Sequence, residues 1–139
     1  FWCVCRADFP AAGFNPNAHG DPTSATVGGR FNPFETDGGE RVATKYLADH
    51  PNGAFAETLL RDGPGSRELS RATIESHRVA QLALHRSLSL ADLGEVSSTT
   101  FVRMMKQGHE AYPALRDVAA TVHRQTSLAG LLWEGRQLD

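Results

Sequence analysis

Apolar and polar positions divide this chain into short elements. Residues 1–6, "FWCVCR", are β-prone and predict an opening strand that ends at a cation, Arg6. From Phe9 to Gly29 the chain carries Pro, Gly, Asn, Asp and Ser without period, which predicts a long surface loop of the kind that is usually functional or mobile. In "GGRFNP", residues 28–33, paired glycines permit a sharp turn or a close approach to a ligand, and Arg30 follows them directly. The turn-rich "ETDGGE" then leads into "RVATKYLA", read as a strand. Val42, Thr44, Tyr46 and Ala48 would share one face and Ala43, Lys45 and Leu47 the other, and neither face is cleanly apolar.

"HPNG" turns the chain into a helix of roughly ten residues whose expected buried stripe is Phe55, Ala56, Leu59 and Leu60. Glu57 falls at the border of that stripe, placed to face a rim or a cleft. "RDGPGS" should end the helix. In "VAQLALHRSLSLADL", Leu82 and Leu84, then Leu88 and Leu90, recur with period 2 and predict a strand or bent strand pair closing at Asp92. Thr99 to Gln107 reads as a short helix ending at Gly108. Pro113 suits the first turn of another helix, with Leu115, Val118, Ala119 and Val122 at helical spacing; Gly130 is expected to stop it, and "LLW" to form a final strand. There are no internal repeats. Together these elements predict an α+β fold with a small split or mixed β-sheet flanked by helices.

At 139 residues and 15.1 kDa the chain fits one domain over 1–139, large enough for a hydrophobic core without disulfides. It opens on Phe1 and not on Met, so trimmed termini are expected. Fourteen Lys and Arg against 16 Asp and Glu give a net charge of −2, and no global field attracts nucleic acid. Cys3 and Cys5 stand two apart on a strand, a poor arrangement for a mutual disulfide, which suits a reducing compartment such as the cytoplasm. No apolar run approaches the ~20 residues that span a bilayer, and none resembles a signal peptide.

His19, His50, His77, His85, His109 and His123 never fall in a zinc-binding spacing, so no metal is expected. There is no GxSxG, Walker loop or GxGxxG. What remains is the set Arg6, Arg30, Tyr46 and Glu57, all at expected strand ends or just past turns. Guanidinium forks suit the diphosphate of a dinucleotide, a tyrosine ring can stack on a flat base, and a carboxylate can offset positive charge developing on a ribose. Taken singly, Arg6 also suits a solvated strand end, Tyr46 a core aromatic and Glu57 an exposed helix position.

In order, "GGRFNP", "YLADHPNGAFAETLL", "RSLSLADL" and "AGLLWEGRQ" resemble the RES domain family, over most of the chain. That resemblance implies a fold similar to ADP-ribosyltransferases and a toxin that degrades NAD+ by hydrolysis or phosphorolysis, with NAD+ as substrate and no cofactor. Arg30, Tyr46 and Glu57 match the family's Arg, Tyr and Glu, and Arg6 a further Arg that would help hold phosphate. A cognate helix-turn-helix antitoxin is the implied partner, through which an oligomer could form; direct binding to nucleic acid or membrane is not implied. In many members the closing "W-x-S-R" supplies a serine; here "WEGR" puts Gly135 in that place, and Ser127, at an expected helix end, is a poor substitute. ADP-ribosyl transfer to a protein or nucleic acid, and a catalytically weak NAD-binding or protein-interaction module, are the alternatives.

Overall fold

The computed structural model describes residues 1–15, 21–24, 28–60 and 68–134. The fold is α+β, with two two-stranded sheets and four α-helices among the described residues. The chain divides into two compact units, each assembled from separated stretches: Phe1–Gly13 with Lys45–Arg86, and Phe14–Thr44 with Ser87–Glu134.

In the first unit the opening strand forms as expected. β1 (Trp2–Arg6) pairs antiparallel with β2 (His77–Gln81), Trp2 opposite Gln81 and Arg6 opposite His77. The pairing runs one step further, since the Phe1 ammonium donates to the Leu82 carbonyl at 3.0 Å and Leu82 N–H donates to Phe1 at 2.8 Å. Helix α1 (Pro51–Leu59) packs on β1. Pro51 pre-sets the first turn, and His50 caps it, its Nδ1 accepting from Asn52 N–H at 3.2 Å. The buried face of α1 is Gly53, Ala54 and Ala56; Phe55, Leu59 and Leu60 are only half-buried. Of the expected stripe, therefore, only Ala56 is in the core. Small residues win this face because they let the helix backbone come close to the strand, where Cys3 and Val4 are buried. Both cysteines are free thiols. A short helix that the sequence pattern did not predict, α2 (Arg71–Glu75), leads into β2; Ser70 caps it, accepting from Thr73 N–H at 3.0 Å. The expected helix stop "RDGPGS" lies outside the described residues.

The second unit holds the larger core. Phe31, Phe34, Leu93, Phe101, Ala111, Leu115, Ala119 and Ala120 pack together, with Val42, Met104, Leu131 and Trp133 around them. α3 (Thr99–Lys106) matches its expected span, capped by Ser98, and a 3-10 turn at His109–Ala111 leads into α4 (Tyr112–Gln125) with Pro113 in its first turn. β3 (Leu90–Asp92) and β4 (Gly130–Leu132) pair in parallel, Leu90 opposite Gly130. The anticipated strand pair across 79–92 is thus two strands in different sheets, β2 and β3, and Leu84 and Leu88 between them are exposed.

Two expectations need correction. The segment 41–48 is not a strand: it makes isolated antiparallel bridges at Arg41, Thr44 and Ala48, to Glu35, Asn15 and Trp2 respectively. With no clean apolar face, nothing fixes one register along its length. Gly130 does not stop α4, which ends at Gln125 because Thr126 turns extended and its hydroxyl donates to the Val122 carbonyl at 2.7 Å. Gly130 instead opens β4.

Candidate active site

Glu57 lies in the second turn of α1, four residues after Gly53 and three after Ala54, so it falls on the helical face of those buried residues. The residue as a whole is half-buried, but its Oε1 atom is fully buried and has no hydrogen-bond partner among the described residues. Leaving a buried polar atom unpaired costs roughly 1–3 kcal/mol, and more when the group is charged. Such an atom in a folded chain needs a reason, and a ligand that completes its bonding is one.

Tyr46 belongs to the same unit and is half-buried. It precedes by two residues the Ala48 bridge, where Trp2 N–H donates to Ala48 at 2.7 Å and Ala48 N–H returns the bond at 2.8 Å. The edge of β1 thus anchors the Tyr46 segment, while the face of the same strand carries the helix of Glu57. Arg6, at the far end of β1, holds Asp8 in a two-pronged ion pair, Nε to Oδ1 at 3.1 Å and Nη2 to Oδ2 at 2.8 Å, with 72% of its side chain exposed. A fork that already grips two carboxylate oxygens has the geometry to grip two phosphate oxygens.

Arg30 sits in the second unit and is buried, at 4% exposure. It occupies the tight turn closed by Gly29 N–H donating to Asn32 O at 2.8 Å. Gly28 is needed for the turn itself. Gly28 has φ of +84°, and a Cβ there would lie 2.6 Å from Pro33 Cδ and 2.7 Å from the Asn32 carbonyl oxygen. Phe31 and Phe34 tie the turn to the core on either side of the buried Asn32 and Pro33.

Sequence reasoning missed Arg116, a guanidinium at 1% exposure in α4. Its Nε donates to Gly29 O at 3.1 Å, and its Nη1 reaches the carbonyls of Asp21, Pro22 and Ser24 at 3.3, 2.9 and 2.6 Å. The Tyr112 ring lies under its charge, 5.9 Å from centroid to guanidinium carbon. A signal was present: position 116 falls on the same helical face as Tyr112, Ala119 and Ala120, so an arginine there had to be buried. Close by, the Asp21 carboxyl is held below the ordinary 3.8 chiefly by the Thr23 hydroxyl, then by Thr23 N–H, both donating to Oδ1 at 2.8 Å.

Ser127 is exposed just past α4, and Gly135 lies outside the described residues. Among the described residues no three His, Cys, Asp or Glu side chains are placed to share a metal ion, and no helix is long and apolar enough to cross a membrane.

The RES domain model matches residues 1–138, and the chain belongs to that family. Neither the curated proteins nor the solved structures contain a match to it. RES domains are associated with toxin–antitoxin systems and with NAD.

Proposed function

We propose that this chain is an NAD+-degrading enzyme that cleaves the bond between nicotinamide and ribose, the toxin of a toxin–antitoxin pair, with a fold of the ADP-ribosyltransferase kind. The observation that supports this reading is the buried Oε1 of Glu57, which has no hydrogen-bond partner among the described residues. In the reaction the C1′–N bond breaks, its electron pair leaves on the nicotinamide nitrogen, and positive charge builds on the ribose. Glu57 offsets that charge, as a carboxylate does in glycoside hydrolysis. The oxygen of water or phosphate then bonds to C1′ and gives up a proton, releasing ADP-ribose or its phosphate ester. Arg30 and Arg6 hold the diphosphate, and Tyr46 stacks or hydrogen-bonds near the nicotinamide ribose. A helix-turn-helix antitoxin would restrain the activity.

Incubating the purified chain with NAD+, with and without phosphate, and following nicotinamide and the ADP-ribose product by chromatography tests this reading. Free nicotinamide is expected, and the phosphate dependence names the acceptor. Labelled ADP-ribose on a macromolecule would instead mark a transferase, and bound but intact NAD+ a binding module.

A further inference from the structure

The buried Arg116 guanidinium donates to four backbone carbonyls and lies over one aromatic ring. Three of those carbonyls come from one short turn, Asp21 to Ser24, itself closed by Ser24 N–H donating to Asp21 O at 3.1 Å. The fourth is different in kind. The Gly29 carbonyl belongs to the peptide group that joins Gly29 to Arg30, so the bond from Arg116 Nε fixes the peptide plane directly before Arg30. The preceding amide is fixed too, because Gly29 N–H is committed to Asn32 O. With both peptide groups of Gly29 held, the direction in which the chain enters Arg30 has little freedom.

A helix, being rigid, is a good mount for such a clamp. Arg116 stands in the second turn of α4 between the buried Leu115 and Ala119, and its guanidinium is stiffened by planarity and five donors. The geometry points to Arg116 as the positioning residue of Arg30: α4 sets, through one buried guanidinium, the backbone from which the proposed diphosphate-binding arginine springs. This rests on the proposed function only for what Arg30 then does; the clamp itself is a property of the ligand-free chain. Lysine keeps the charge but is a single point donor and cannot reach both Gly29 and the 21–24 turn in the fork geometry.

Two measurements test the clamp, one of which needs no NAD+. Amide hydrogen exchange on the wild-type chain should show Gly29 protected to the same order as the amides of Ala119 and Ala120, and in Arg116→Lys Gly29 should exchange at least tenfold faster while those α4 amides hold. A wild-type Gly29 amide that exchanges freely, or one unaffected by the substitution, would overturn the inference; should Arg116→Lys fold poorly, Arg116→Gln, which keeps a planar donor without the charge, takes its place in the same measurement. The second is a double-mutant cycle on NAD+ kinetics. Arg116→Lys should raise KM about tenfold with little change in kcat, and that increase should largely disappear in an Arg30→Lys background. Full additivity of the two substitutions would mean that Arg116 acts by stability alone and would also overturn the proposal. A wild-type chain that neither binds nor cleaves NAD+ would remove the proposed function, and the exchange result would still decide whether Arg116 holds the turn.

Discussion

The rings of Phe31 and Trp133 meet at 5.0 Å between centroids, inclined at 58°. Phe31 follows Arg30 in the tight turn, and Trp133 follows β4 directly, so this contact joins two motifs far apart in sequence within one core. Tilted aromatic pairs are worth ~0.5–1.5 kcal/mol beyond their buried area. A cycle of Phe31→Leu and Trp133→Leu, read by denaturant unfolding, should return a coupling in that range. In a Trp2→Phe background, which leaves Trp133 as the fluorophore, NAD+ should also change the emission, because Arg30 is the neighbour of Phe31; emission indifferent to saturating NAD+ would count against Arg30 as a ligand-binding residue.

Gly28 and Gly39 separate space from backbone strain. Both have positive φ, +84° and +78°, but a Cβ at Gly39 would meet nothing within 4 Å. Gly39→Ala should therefore cost only the left-handed strain of ~1–2 kcal/mol. Gly28→Ala adds overlap with Pro33 and Asn32 and should cost clearly more, by another ~1–3 kcal/mol. Equal losses in thermal or urea unfolding would mean that the turn before Arg30 can relax.

Much of this framework could be read from the sequence, and each miss has its own physical cause. β1 was legible from its β-prone residues, α3 from the stop at Gly108, and α4 from Pro113 in its first turn together with regular apolar spacing. Segment 41–48 was misread because β-prone residues do not make a strand without a partner in a fixed register, and its three bridges go to three different places. On α1 the large apolar residues Phe55, Leu59 and Leu60 suggest the buried stripe, but Gly53, Ala54 and Ala56 are the buried ones, and Glu57, at the border of the expected stripe, falls on their face of the helix. The candidate residues themselves came from the order of motifs, whereas Arg116, which belongs to no motif, emerged only from the fold.

Arg6 offers a clean separation of binding from stability. Its pair with Asp8 is exposed on both sides, at 72% and 67%, and exposed ion pairs contribute at most ~1 kcal/mol. Arg6→Ala should leave the unfolding midpoint almost unchanged while raising KM for NAD+ severalfold. A variant with unchanged KM would remove Arg6 from the diphosphate-binding set.

Asp21 makes a prediction with a definite sign. Its carboxyl is held below 3.8 in the folded chain, so it stabilises the fold fully above that value and the contribution fades as pH falls through the lowered folded value. Thr23→Val removes the hydroxyl that is the leading cause, and the Asp21 carboxyl should then titrate closer to 3.8 when followed by NMR. An unchanged titration would assign the shift to the Thr23 N–H and the nearby arginines instead.

The central claim is that the carboxylate of Glu57 offsets the charge of a breaking glycosidic bond, and Glu57→Gln tests it with almost no change of shape. The measurement is nicotinamide release from NAD+ by the wild type and by Glu57→Gln, alongside their thermal melts. The account predicts loss of release by ~10²-fold or more. It also predicts a melting temperature that stays level or rises, since the substitution replaces a charged group, one of whose buried oxygens lacks a partner among the described residues, with a neutral one. Equal nicotinamide release by a folded Glu57→Gln variant would contradict it.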